Sequence, residues 1–218
     1  MSLFEFWSRL PDGETVHPDD RAVLEGGPHG FHFDLPPAPV MGPLRTAPVV
    51  LCYGNPGHEQ HNAELVHEPL RGTQLARQID GLDPYPAWVP GWREALAARC
   101  RQMALGPEEL ANTVAIFNVV PYASERLGVD ETAIARHLPS AAVARAYLHE
   151  VLVPRARKEE IFLVVVRSHV LWGAVGLEDS RTCKFSRHLA VEGKLGVLGA
   201  EIRGWLDRRV VAGHPWRQ

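Results

Sequence analysis

The segment Gly54-Asn55-Pro56-Gly57 holds a carboxamide in a stiff turn. Its two glycines permit a close approach of the backbone, and Pro56 forces Asn55 toward an extended conformation. A carboxamide accepts and donates hydrogen bonds but is a poor base, so Asn55 would position water or substrate rather than remove a proton. The alternative interpretation is a turn in which Asn and Gly only supply left-handed backbone conformations.

Two further polar segments are Asn118 with Pro121-Tyr122, and Arg167-Ser168-His169. Each of the three segments lies in or directly after an apolar run; these runs cover residues 49–53, 114–120 and 161–166. Such runs predict strands that are buried on both faces of a parallel sheet. Ligands of parallel sheets bind beyond the carboxyl ends of the strands, so the three segments are predicted to meet in one site.

Helical patterns alternate with these strands, and they are predicted at 3–10, 62–80, 92–103, 139–157 and 194–209. A short fourth strand is predicted at 182–187. The alternation predicts an α/β protein with three α/β/α layers around a mostly parallel four-stranded sheet. Because residues 26–48 are rich in proline and glycine, residues 1–48 are predicted to form an N-terminal extension or arm. Residues 49–209 would then be the α/β domain and residues 210–218 a tail.

The composition excludes several classes of protein. A chain of 218 residues with 45% hydrophobic and 22% charged residues is neither disordered nor a coiled coil. No apolar run approaches the roughly 18 residues of a membrane span, so no membrane partner is expected. The three cysteines are far apart and form no CxxC pair, which argues against a disulfide framework, a zinc finger and a four-cysteine iron–sulfur cluster. A reduced cytoplasmic protein without a cofactor is expected.

The formal net charge of −3 hides a basic C-terminal region. Residues 181–218 contain eight Lys and Arg against three Asp and Glu. Such a region would bind phosphates, and its candidate residues are Arg181, Lys184, Arg187 and His188. The alternative interpretation is the solvated surface of a helix.

The motif Tyr53-Gly54-Asn55-Pro56-Gly57 resembles the first motif of the mismatch-specific branch of the uracil-DNA glycosylase superfamily. Phe117-Asn118-Val119-Val120-Pro121 is similar to the central strand of that superfamily, and the order of the elements also agrees over roughly residues 47–207. The resemblance implies a uracil-DNA glycosylase-like fold. It also implies a protein that hydrolyses an N-glycosidic bond, or recognises an unpaired base, in DNA or another nucleic acid.

The resemblance further implies roles for individual residues. Asn55 would position the hydrolytic water, Asn118 would read the flipped base, and Arg167 or His169 would stabilise the developing charge on the base. The base would be surrounded by Gly54, Pro56, Gly57, Asn118 and Tyr122. An aromatic face must stack on the base, and the aromatic residues near these loops are Tyr53, Tyr85, Trp88, Phe117 and Tyr122. Tyr122 is the preferred choice because it follows a strand-ending proline.

Two alternatives remain open at this point. The superfamily's last motif, usually His-Pro-Ser or Asn-Pro-Ser, is absent after the third apolar run, and this favours a nucleic-acid-binding module that kept the fold and lost catalysis. The other alternative is a metal-dependent hydrolase that uses His58, His61 and His67, because five potential ligands lie within eleven residues there. The spacing is not that of an HExxH motif, and a solvated polar loop is the competing interpretation.

Overall fold

The structure of the protein is a computed structural model that describes residues 1–57, 81–82, 103–185 and 196–211. These residues contain a five-stranded sheet of order β1-β3-β2-β4-β5. The strands are β1 Val40–Met41, β2 Val49–Tyr53, β3 Val114–Asn118, β4 Phe162–Val165 and β5 Cys183–Lys184. Strand β2 pairs in parallel with β3 and β4, and β4 pairs in parallel with β5, whereas β1 runs antiparallel to β3.

The prediction of an α/β protein is confirmed, but the prediction of a mostly parallel four-stranded sheet is wrong. The sheet is mixed because β1 adds an antiparallel edge strand from within the predicted arm. Pro39 and Pro43 flank this strand closely, so its sequence reads as a loop. An edge strand tolerates such neighbours because only one of its sides needs hydrogen-bond donors.

Helices cover the two faces of the sheet. They are α1 Leu3–Trp7, α2 Arg21–Leu24, α3 Pro107–Thr113, α4 Val129–Ala135, α5 Pro139–Tyr147, α6 Val153–Arg157 and α7 Gly196–Val211, with a 3₁₀ turn at Pro18–Asp20. A π-helical turn, Leu148–Leu152, joins α5 to α6. The single helix predicted at 139–157 is divided there because Pro154 cannot donate a backbone hydrogen bond. Of the helices described, none combines the length and the apolar character needed to cross a membrane.

Successive side chains along each strand point to opposite faces of the sheet, so each strand contributes to two cores. Val50 and Cys52 of β2 pack into a core with α1, α5 and α6, whereas Val49 and Leu51 pack into a second core with α3 and α7. Both faces are therefore buried, which explains why the central strands read as continuous apolar runs.

A buried polar network joins the N-terminal residues to the rest of the chain. Both Asp20 and His17 are fully buried. Asp20 accepts hydrogen bonds from the Tyr122 hydroxyl at 2.6 Å and from the Ser140 backbone N–H at 2.9 Å. The backbone N–H of Asp19 donates to Nδ1 of His17 at 3.2 Å, and Nε2 of His17 lies 2.9 Å from the carbonyl oxygen of Phe6. A carbonyl only accepts, so Nε2 of His17 carries the ring proton and donates it.

Residues on both sides of residue 48 share one core, because Leu3, Phe6 and Trp7 are buried in the same cluster as Val50. The boundaries of the predicted extension, domain and tail stay predictions.

Candidate functional site

The ends of β2 and β3 lie side by side at one edge of the sheet. Tyr53 and Asn118 are partners in the parallel register. Beyond them, Gly54 accepts a hydrogen bond from the Val120 N–H at 2.9 Å, and Pro56 accepts one from the Ser124 N–H at 3.3 Å. The segment from Gly54 to Gly57 therefore continues beside the chain that leaves β3.

The segment that leaves β4 packs against the same place. A Cβ atom built on Gly54 would lie 3.4 Å from Cβ of Ser168 and 2.6 Å from Cδ1 of Leu127. The indole Nε1 of Trp172 donates to the carbonyl oxygen of Tyr53 at 3.0 Å, which fixes this segment to the end of β2. The structure thus brings the three predicted segments together at one edge of the sheet.

Asn55 has a fixed carboxamide orientation. Its Nδ2 donates to the Pro56 carbonyl at 2.9 Å and to Oγ of Ser124 at 2.8 Å, and it lies 3.4 Å from the Tyr122 carbonyl. Carbonyl oxygens only accept, and the Ser124 hydroxyl itself donates to the carbonyl oxygen of Arg126 at 3.0 Å. The amino end of the carboxamide must therefore face these atoms.

The oxygen of the same carboxamide points elsewhere. Oδ1 of Asn55 accepts no hydrogen bond from any residue that the structure describes, and the side chain is half-buried. A water molecule or a ligand N–H can donate to this oxygen, whose direction is set by the bonds to Nδ2. The group can orient a water molecule, but it cannot deprotonate it.

Asn118 is more enclosed than its predicted role requires. The residue is 2% exposed, and its Nδ2 donates to the carbonyl oxygen of Ala38 at 2.8 Å. Its backbone N–H donates to the Pro39 carbonyl at 2.9 Å. The N-terminal residues therefore use one of the two amino hydrogens that would otherwise read a base.

The prediction that Tyr122 stacks on a base is wrong. Tyr122 is 1% exposed and packs against Phe31 and Phe33. Burial, together with the charge of Asp20, raises the pKa of the Tyr122 hydroxyl far above its ordinary value. Tyr53 is the half-buried aromatic residue at this edge, in register with Asn118.

The segment Arg167-Ser168-His169 supplies cationic and polar groups. Arg167 is exposed and adopts a φ of 59°, a left-handed conformation that costs a non-glycine residue about 1–2 kcal/mol. Oγ of Ser168 donates to the Val166 carbonyl at 2.9 Å. Nδ1 of His169 is buried and has no hydrogen-bond partner among the described residues. A buried ring nitrogen without a partner is rare in folded proteins and marks this histidine as unusual.

The predicted phosphate-binding residues that are described are already engaged in ion pairs. Arg181 pairs with Glu159, and Nζ of Lys184 lies 3.2 Å from Oε2 of Glu201. Arg187 and His188 lie outside the described residues. The same is true of His58, His61 and His67, so the proposed metal ligands are not placed. Within the described ranges, no three His, Cys, Asp or Glu side chains are grouped to hold a metal ion.

The two cysteines of the central sheet are poor nucleophiles. Both Cys52 and Cys183 are buried and form no disulfide. Burial raises the pKa of Cys183 to about 11 and raises that of Cys52 as well. The reactive thiolate is therefore scarce at neutral pH.

Sequence reasoning missed two residues that position the site. Ser124 orients the Asn55 carboxamide from 69 residues away, and Trp172 holds the segment that leaves β4. No local spacing signals the contact of Ser124 with Asn55. Trp172 does carry a signal, since a tryptophan in a turn after a buried strand needs a partner for its indole N–H.

The close approach at Gly54 gives a testable prediction. We expect Gly54→Ala to lower the free energy of unfolding by about 1 kcal/mol, because Cδ1 of Leu127 would lie 2.6 Å from the new Cβ atom and the leucine side chain must rotate away. Gly57→Ala is the matched control, since a Cβ atom built on Gly57 meets nothing within 4 Å. Urea denaturation of both variants measures the difference, and equal stabilities would contradict the close packing of Leu127 against Gly54.

Comparison of the chain with protein-family models, curated protein sequences and solved structures found no match. The resemblance to the uracil-DNA glycosylase superfamily therefore stays a prediction from two motifs. A function has to be argued from the geometry of the site.

Proposed function

We propose that the protein hydrolyses the N-glycosidic bond of a base in nucleic acid, and that Asn55 positions the attacking water. The observation that carries this proposal is the fixed carboxamide of Asn55, with Nδ2 bound to Ser124 and the Pro56 carbonyl and Oδ1 without a partner among the described residues. A carboxamide held in this way orients water without reorganising during the reaction.

The reaction balances without a cofactor. The water oxygen forms a bond to C1′ of the sugar, the bond between C1′ and the base nitrogen breaks, and the base leaves with the bonding electron pair. One water proton is released to solvent, and the departing base is protonated in turn. His169 lies in the segment whose Ser168 lies close to Gly54, and its imidazole is the group we assign to the developing negative charge on the base.

The substrate must be extruded from a duplex or presented in a single strand, because the glycosidic carbon is not accessible inside stacked DNA. Tyr53 and Asn118 are neighbours in register at the sheet edge, and we assign them to the face and the edge of the base. The uracil-DNA glycosylase-like fold and a uracil or mismatched base as the substrate belong to this proposal.

The test is strand cleavage of a uracil- or mismatch-containing oligonucleotide after alkali treatment. We expect Asn55→Ala to lower the cleavage rate about 100-fold or more, as loss of one preorganised group does in other hydrolases. Asn112→Ala is the matched control, since Asn112 is exposed on α3 and bonds only to the Glu108 carbonyl there. Cleavage by Asn55→Ala at the wild-type rate would refute the assignment.

A second candidate is base recognition without catalysis. It is favoured by the segment after β4, which reads Arg167-Ser168-His169 and contains neither the His-Pro-Ser nor the Asn-Pro-Ser tripeptide of the superfamily's last motif. Binding of a labelled single strand with no cleavage of any substrate base would support this candidate and contradict the hydrolase.

A further inference from the structure

A basic helical surface extends from the turn between α4 and α5, along α5, to the π-helical turn that follows it, away from the basic C-terminal region. We define it by Arg136, His137, Arg145 and His149. Residues 132–149 include all four and contain no Asp or Glu. Arg136 and His137 are exposed, whereas Arg145 and His149 are half-buried.

Arg145 is a guanidinium without a carboxylate partner among the described residues. Its Nη2 donates to the Arg136 carbonyl at 3.2 Å and its Nη1 to the Leu171 carbonyl at 3.5 Å. These two bonds use two of the five N–H groups of an arginine, which leaves three for a ligand. Burial lowers the pKa of Arg145, and no nearby carboxylate offsets this effect. An incoming anion would supply the missing counter-charge.

The basic helical surface adjoins the candidate site. Nε2 of His149 donates to the Trp172 carbonyl at 2.9 Å. Gly173 lies close to both His149 and Arg145. A Cβ atom built on Gly173 would be 3.5 Å from Nε2 of His149 and 3.9 Å from Cδ of Arg145. Only Val170 separates residues 171–173 from Arg167-Ser168-His169, so the surface and the site meet along one short segment.

The described cations of the basic C-terminal region differ from Arg145 because they have carboxylate partners. Arg181 and Lys184 each face a carboxylate, of Glu159 and Glu201. A phosphate that binds there must displace an existing partner, whereas Arg136 and Arg145 have no carboxylate partner in the described ranges. Between the two regions, charge complementarity favours the basic helical surface as the phosphate-binding face.

We propose that the basic helical surface binds the phosphate backbone of the nucleic-acid strand whose base enters the candidate site. This inference rests on the proposed function for the position of the base, but not for the binding of the phosphates. Phosphate contacts fix the register of the strand and carry no sequence information.

The test uses a fluorescein-labelled oligodeoxynucleotide and measures its affinity by anisotropy across a series of salt concentrations. We expect Arg136→Ala and Arg145→Ala each to weaken binding and to reduce the slope of log K against log salt by about 1. Arg181→Ala is the matched control and should leave the slope unchanged. If Arg145→Ala fails to fold, Arg136→Ala decides the matter, because the Arg136 side chain is exposed and only its backbone carbonyl is used.

The outcomes separate this inference from the proposed function. Unchanged slopes for Arg136→Ala and Arg145→Ala, or a reduced slope for Arg181→Ala alone, would overturn the inference even if the wild type cleaves its substrate. Reduced slopes without any cleavage by the wild type would support the basic helical surface and overturn the hydrolase. Equal loss of affinity for polyglutamate in these variants would show a general anion surface and would also overturn the inference.

Discussion

Replacing Asp20 with alanine is expected to lower the free energy of unfolding by about 3–5 kcal/mol. The substitution leaves the Tyr122 hydroxyl and the Ser140 N–H as buried donors, and each unsatisfied donor costs about 1–3 kcal/mol. Ser140 lies in the first turn of α5, so a favourable negative charge at the helix N-terminus is lost as well. Urea denaturation followed by circular dichroism measures the change.

Asp19→Ala is the matched control for this substitution. Asp19 is the neighbouring residue, but its side chain is 39% exposed and pairs with Arg9 at the surface. Surface ion pairs contribute about 0–1 kcal/mol, so this variant should be nearly as stable as the wild type. If Asp20→Ala were no less stable than Asp19→Ala, the buried network would not join the N-terminal residues to the core.

Replacing Trp172 with alanine is the second substitution for which we expect a large effect, a loss of about 3–5 kcal/mol. The indole is fully buried, packs 5.0 Å from the Phe117 ring between centroids, and donates to the Tyr53 carbonyl. Its removal leaves a large cavity between β3 and the segment that leaves β4. The geometry of the candidate site should therefore be disturbed together with the loss of stability.

Trp172→Phe separates the two contributions of this side chain. Phenylalanine keeps most of the packing but cannot donate, and the Tyr53 carbonyl still accepts from the Val119 N–H. We expect the free energy of unfolding to fall by about 1 kcal/mol for the lost hydrogen bond. The smaller volume of phenylalanine should lower it further. Val170→Ala, at a 52% exposed position in the same segment, is the control and should change stability little. Equal losses for all three variants would contradict the anchoring role of Trp172.

The central strands were predictable because each is buried on both faces. The run at 49–53 matches β2 in full, and the runs at 114–120 and 161–166 contain β3 and β4. Strand β1 was missed because two residues between prolines carry no periodic signal. The sheet pairs them with residues 116 and 117, far away in sequence, and only the folded chain provides that partner.

The candidate site was predictable in its location but not in its details. Parallel strands place their carboxyl ends at one edge, so Gly54 and Ser168 had to come close. The burial of Tyr122 was not predictable, because it depends on Asp20 and on aromatic residues of the predicted arm. The orientation of Asn55 depends on Ser124, and a spacing of 69 residues indicates nothing about contact.

The contact between Asp20 and Ser140 has a consequence for synthesis on the ribosome. The two residues are 120 positions apart. Translation proceeds at roughly 5–20 residues per second, so Ser140 and the start of α5 are synthesised about 6–24 s after Asp20. During that interval Leu3, Phe6 and Trp7 have no completed core to enter, so the emerging chain exposes a short apolar segment to which chaperones can bind.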